Sequence, residues 1–182
     1  GTLDRGRLTA YKRAGFNRLS IGLQSADNDL LRTLGRIHTF ETFQREYLTA
    51  RDTGFDNISV DLMYGLPNQT LSSWKETLDQ ITELNPEHVS AYSPIIEEGT
   101  PFWDRYHEDD EEKRRGSRPL FLPDEETEEK MLSLLKSSLS DIGIYRYEIS
   151  SYAKPGFESR HNSSYWTGRE YLGIGLGASS LM

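Results

Sequence analysis

The sequence predicts an α/β fold in which parallel strands alternate with helices and the sheet curves into part of a barrel. Three observations carry this. A glycine-led unit occurs twice, as Gly15-Phe16-Asn17-Arg18-Leu19-Ser20-Ile21-Gly22-Leu23-Gln24 and as Gly54-Phe55-Asp56-Asn57-Ile58-Ser59-Val60-Asp61-Leu62-Met63, each copy after a helix-like segment. Helix, glycine stop and strand in repetition are the parts of a βαβ element. A weaker third copy is Val89-Ser90-Ala91-Tyr92, and a distant fourth is Gly143-Ile144-Tyr145-Arg146-Tyr147-Glu148-Ile149. The last observation is alternation: Leu19, Ile21 and Leu23 share one strand face, and Arg18, Ser20, Gly22 and Gln24 share the other. Ile58, Val60 and Leu62 likewise oppose Ser59, Asp61 and Met63. Parallel strands covered on both faces read as continuous apolar runs, so these polar faces predict a hydrophilic chamber inside a curved sheet. Internally satisfied structural polar groups are the competing reading.

Taken in order, the chain begins with a helical stretch from Leu3 to Arg13, stopped at Gly15 before the first strand. Asp27 is an N-cap candidate for a short helix carrying Leu30, Leu31 and Leu34 and ending at Gly35, which leaves Arg36 near the mouth of the sheet. A second helix from Thr39 puts Phe40, Phe43 and Tyr47 on one face and stops at Gly54. The second strand runs into the turn-rich Tyr64-Gly65-Leu66-Pro67-Asn68-Gln69-Thr70. Leu71, Trp74, Leu78, Ile81 and Leu84 form a core stripe closed by Asn85-Pro86, and a third strand runs from His88 to Ile95. The charged run 108–116 reads as solvated. Pro123 and three acidic residues open a helix with Leu132, Leu135, Leu139 and Ile142, and the remainder predicts two strands around a loop rich in His, Asn, Tyr and Trp. Gly173-Ile174-Gly175-Leu176-Gly177 lacks the strand-turn-helix context of a phosphate cradle. The organisation predicted is one domain: central βα units over 1–105, a charged mobile insertion over 106–122, and a last helix with terminal strands over 123–182.

The 182 residues carry 21 Lys and Arg against 29 Asp and Glu, for a net charge of −8. That balance and the lack of a basic run exclude a general nucleic-acid binder. No apolar stretch approaches a bilayer span and there is no charged-then-apolar leader, so the expected location is the cytoplasm with no integral membrane segment. With no cysteine, these residues hold no disulfide, thiolate zinc site or iron–sulfur ligand. The opening on Gly1 predicts a segment of a longer protein, a processed chain being the other reading.

Ligands of parallel α/β folds bind at the carboxyl ends of the strands. Gln24, Arg36, Asp61 and the loop 64–70 fall there. An Arg fork pairs with a carboxylate, an Asp accepts from an ammonium or a ribose diol, and a Gln amide gives and takes. Together they suit a zwitterionic, ribose-bearing ligand; a helix-end Arg36 and an internally paired Asp61 are the alternative.

Asn17-Arg18-Leu19-Ser20-Ile21-Gly22-Leu23-Gln24-Ser25, Leu34-Gly35-Arg36, Asp61 to Thr70 and Gly99-Thr100-Pro101-Phe102 resemble the oxygen-independent coproporphyrinogen III oxidase-like family of radical S-adenosylmethionine (SAM) proteins. Tyr147-Glu148-Ile149-Ser150 and His161-Asn162-Ser163-Ser164-Tyr165-Trp166 are similar to its haem-chaperone, HemW-like branch. The resemblance covers nearly all of the chain outside the charged run. It implies an incomplete six-stranded barrel whose upstream cysteine loop binds a 4Fe-4S cluster, with SAM on the cluster's open site. It also implies SAM contacts from Gln24, Arg36 and Asp61, with Ile95 and Ser179 near two more. His161 becomes a candidate haem ligand with Tyr165 and Trp166 as aromatic walls, a structural histidine being the alternative. Asn68 stands where many relatives have glycine. The cluster cysteines are absent from this chain, so its ligands lie outside it, as does the family's carboxyl-terminal domain.

The function implied is a haem chaperone that binds haem and SAM and passes haem to a recipient protein. The alternative is an enzyme, an oxidoreductase of the coproporphyrinogen dehydrogenase type, in which a deoxyadenosyl radical from SAM abstracts hydrogen from porphyrinogen propionates. Haem or a porphyrinogen is the expected partner, and nucleic acid is not.

Overall fold

The computed structural model describes residues 3–182. In chain order the elements are α1 (Arg5–Arg13), β1 (Leu19–Gln24), α2 (Asn28–Thr33), α3 (Phe40–Asp52), β2 (Ile58–Met63), α4 (Leu71–Leu84), β3 (His88–Tyr92), α5 (Pro101–Arg114), α6 (Glu125–Ser140), β4 (Tyr145–Arg146), β5 (Ser151–Ala153) and α7 (Arg160–Trp166). The helix starts follow local chemistry. Asp4, Asp27, Thr39, Thr70, Thr100, Asp124 and Ser159 each turn a side-chain oxygen onto a first-turn N–H, which satisfies donors the helix itself leaves open. Thr70 and Ser73 complete a reciprocal capping box, and Asn85 ends α4 in the left-handed conformation ahead of Pro86.

The sheet has the order β1-β2-β3-β5-β4. β1, β2 and β3 are mutually parallel, as the repeat predicts, and the sheet is not closed. Its aliphatic face, with Ile21, Leu23, Ile58, Val60, Leu62, Val89 and Ala91, joins one buried cluster with Phe43 and Tyr47 of α3, Trp74, Leu78 and Ile81 of α4, and Met131, Leu135 and Leu139 of α6. Each such side chain contributes roughly 1.5–3 kcal/mol by leaving water. Trp74 Nε1 donates to Met131 O at 2.9 Å, which locks α4 to α6.

Four expectations are corrected. The fourth repeat yields only a two-residue strand, Tyr145–Arg146, and β5 lies between it and β3, antiparallel to both. The connection 147–150 is too short for a crossover, so the chain can only return as a hairpin. β3 stops at Tyr92 rather than Ile95, because Pro94 has no N–H to donate to a ladder. The segment around His161 is a helix capped by Ser159, not a loop. Finally, the charge-rich stretch is helical through Arg114, and one of its carboxylates is buried. Asp109 accepts from the backbone N–H groups of Leu120, Phe121 and Leu122, and Phe121 O in turn receives Asn68 N–H at 2.8 Å. Lys113 pairs with Glu128 of α6. This segment therefore braces the loop after β2.

Candidate functional site

The face of the sheet opposite the core is polar. Register sets Ser20 beside Ser59 and His88, and Gly22 beside Asp61 and Ser90, while Met63 lies beside Tyr92. Alternate residues of parallel neighbours thus turn hydroxyl, carboxylate and imidazole groups to one side. Ser20 Oγ donates to the Asp61 carboxylate at 3.3 and 3.4 Å. Burial pushes the Asp61 carboxyl above its ordinary range, opposed by the Ser20 bond and by the positive charge of Arg18. Burial likewise raises the Tyr92 phenol; Asp61 adds to that rise and Arg36 opposes it. The charges of Arg36 and Asp61 therefore both reach the Tyr92 phenol. Tyr92 is the group that sequence reasoning passed over; its parity with Ser90 and its place at the end of β3 were the available signal.

Gln24 is buried and holds φ at 70°. A bulge at the end of β1 shifts the register so that Gly22 faces Asp61 and Gln24 faces Leu62. The Gln24 amide folds back over Gly22, with Nε2 2.6 Å from where a Cβ there would stand. Its Oε1 is buried without a hydrogen-bond partner. An orphaned acceptor, a half-buried carboxylate and an exposed guanidinium are a donor-and-acceptor set that fits an amino-acid-bearing nucleoside. Ile95 is exposed and borders a cavity of about 500 Å³ beside Leu34, Met63, Tyr92, Pro94 and Phe102, an apolar slot at the carboxyl edge of β2 and β3. The residues do not fit a 4Fe-4S cluster, since the chain has no thiolate to offer.

Towards the other end of the strands the polar face closes around His88. This residue is fully buried, shares hydrogen bonds of 2.8 Å with Ser59 Oγ through Nδ1 and with Tyr147 OH through Nε2, and is held down to a pKa of about 4, by burial first and the Arg18 charge second. Tyr147 OH accepts Ser159 N–H at 3.1 Å. The neutral tautomer protonated on Nδ1 satisfies all of these partners. The link reaches α7 directly, because Ser159 is its cap.

On α7, His161 and Tyr165 lie one turn apart, with Tyr165 OH and His161 Nε2 3.1 Å apart, and Tyr165 packs edge-on against Tyr171 at 4.9 Å. Trp166 is exposed on the same helix. These residues form a ridge distinct from the Gln24, Arg36 and Asp61 group. Ser179 belongs to neither: it is exposed on the tail where Tyr171 bridges Leu181. Among the described residues no hydrogen bond or ion pair joins it to Gln24 or Asp61, and no helix is long and apolar enough to cross a membrane.

Residues 1–81 match the Radical SAM superfamily. The chain is 41% identical over 176 residues to a Heme chaperone HemW of Bacillus subtilis (strain 168), covering 97% of this chain and 44% of that protein. With the Heme chaperone HemW of Escherichia coli (strain K12) identity is 40% over 178 residues, covering 98% and 44%. A mitochondrial radical S-adenosyl methionine domain-containing protein 1 of Danio rerio is 34% identical over 174 residues, 96% of this chain and 37% of that one. Among solved structures, coproporphyrinogen III oxidase (HemN) from Escherichia coli superposes with a TM-score of 0.76 at 25% identity, over 100% of this chain and 42% of its own. The chain spans less than half the length of these relatives.

Proposed function

We propose, for a chain that belongs to the HemW-like branch of the radical SAM superfamily, that it supplies two ligand surfaces of a haem carrier: a SAM-binding sheet edge and a haem-binding helix. The observation that carries the reading is the separation of two unlike groups, the polar residues Gln24 and Asp61 of the sheet with Arg36 in the loop after α2, and the His161, Tyr165 and Tyr171 ridge on and after α7.

At the sheet edge, Arg36 would pair with the carboxylate of SAM, Gln24 Oε1 would accept from a donor of the ligand, and Asp61 would accept from the ribose diol. Ile95 would contribute apolar contact within its slot; Ser179 would reach the ligand only if the tail 171–182 folded back over the sheet. A 4Fe-4S cluster would need ligands from outside these residues. At the helix, haem is cargo. The Tyr165 hydroxyl engages Nε2 of His161, and Nδ1 has no hydrogen-bond partner among the described residues. An imidazole held through one nitrogen and open at the other is suited to meet a metal. Tyr165 and Trp166 would lie against the macrocycle. A recipient protein would then take the haem, with the cytoplasm as the site of exchange.

The test is haem titration and anaerobic turnover with the full-length protein. Stoichiometric haem binding that is lost on His161→Ala, with no decarboxylated porphyrinogen, supports the carrier. Product formation would instead establish the oxidase, the reading that likeness to HemN favours.

A further inference from the structure

A polar cleft of about 580 Å³ lies beside α7, lined by Glu158, Arg160, Ser163, Ser164, Thr167 and Arg169. Its volume falls in the ordinary range of ligand clefts. Residues 160, 163, 164 and 167 share one face of the helical turn, and that face adjoins the one carrying His161 and Tyr165. The cleft's hydrogen-bonding capacity is unevenly spent. Ser164 Oγ donates to His161 O, Thr167 Oγ1 donates to Ser163 O, and the Glu158 carboxylate accepts Gly156 N–H. The guanidinium groups of Arg160 and Arg169 and the hydroxyl of Ser163 have no such partner among the described residues. Two forked cations against one carboxylate leave the cleft net positive on a chain whose overall charge is −8.

From this we infer that the cleft receives the two carboxylates of a porphyrin, with Arg160 and Arg169 as the paired anchors and Ser163 as a further donor. The inference rests on the haem reading of His161 and extends it. A porphyrin ligated at its central iron presents its propionates on one edge of the ring, so its anionic edge must lie to one side of the axial residue. The neighbouring face of the same helix supplies that side. Guanidinium forks match carboxylates bidentately, whereas the aromatic ridge of Tyr165 and Tyr171 carries no positive charge to neutralise an anion. The division of labour is thus aromatic contact and axial nitrogen on one helix face and charge neutralisation on the next.

The experiment compares ferric haem with its dimethyl ester in the full-length protein, as wild type, Arg160→Gln/Arg169→Gln, Arg160→Lys/Arg169→Lys and His161→Ala. Wild type is expected to bind haem at least about tenfold more tightly than the ester, a margin that shrinks as salt is added. The Gln pair abolishes the margin while leaving ester affinity unchanged, and the Lys pair restores part of it. Equal binding of haem and ester by wild type, or equal weakening of both by the Gln pair, overturns the inference. The His161 reading fails separately: a Soret band unmoved by His161→Ala, with the haem-over-ester margin intact, removes the axial ligand and supports the carboxylate anchors. Wild type that binds neither probe ends both.

Discussion

The Gln24 side-chain amide rests on Gly22, its nitrogen 2.6 Å from the position of an absent Cβ. Gly22 is thus the floor on which a buried amide with an unpartnered oxygen is set. Gly22→Ala is expected to displace the tip of a flexible side chain, so unfolding stability should change by no more than about 1 kcal/mol. SAM affinity of the full-length protein should fall about tenfold, the equivalent of one lost hydrogen bond. Calorimetric titration alongside urea unfolding measures both; a large stability loss would show that the glycine serves the fold rather than Gln24.

Asp61 gives an opposite-signed prediction. Its carboxyl is raised by burial, so the folded chain holds that proton more tightly than the unfolded chain does. The ionised form then costs stability above the folded value, and the cost disappears below the unfolded value of about 3.8. Asp61→Asn is expected to unfold at higher urea than wild type at pH 7, to lose that advantage near pH 3, and to bind SAM at least about tenfold more weakly. Reduced stability at neutral pH would contradict the assignment.

His88 titrates in the reverse sense. A histidine held at about 4 when folded and 6.5 when unfolded stabilises the fold fully above pH 6.5, and the contribution is lost as pH falls towards 4. The whole effect is roughly 3 kcal/mol. His88→Gln should flatten the stability profile between those limits, read from urea midpoints at half-unit pH steps. An unchanged slope would mean that the acid sensitivity arises elsewhere.

Asp109 receives three backbone N–H groups from Leu120, Phe121 and Leu122. Asp109→Ala should cost about 2 kcal/mol, the donors at Leu120 and Phe121 being only part-buried and within reach of water. Amide hydrogen exchange at 120–122 and at Asn68 should accelerate while exchange in β2 stays slow.

Much of this architecture was legible in the chain. The period-two alternation around Ser20 and Asp61 announced a two-sided sheet, and Asp27, Thr39 and Gly54 marked helix ends that depend on local chemistry alone. What was hidden is tertiary. Nothing in Glu108 to Arg115 shows that Asp109 alone turns inward, because its acceptors' partners lie eleven to thirteen residues later. The bulge that sets Gln24 opposite Leu62 is a feature of strand pairing, and composition does not record it. Tyr92 reads in the sequence as one more strand aromatic, and only the fold brings its phenol under the opposed charges of Asp61 and Arg36. The ridge of His161 and Tyr165 was readable as a motif but not as a helix, since its cap, Ser159, is one ordinary serine.

Tyr147 spans from His88, at the start of β3, to the N–H that begins α7. A single phenol therefore ties the first residue of β3 to the cap of α7. A ligand that shifts the α7 cap and a proton taken up at the imidazole would therefore act through one shared hydroxyl, and any coupling between them would be reciprocal.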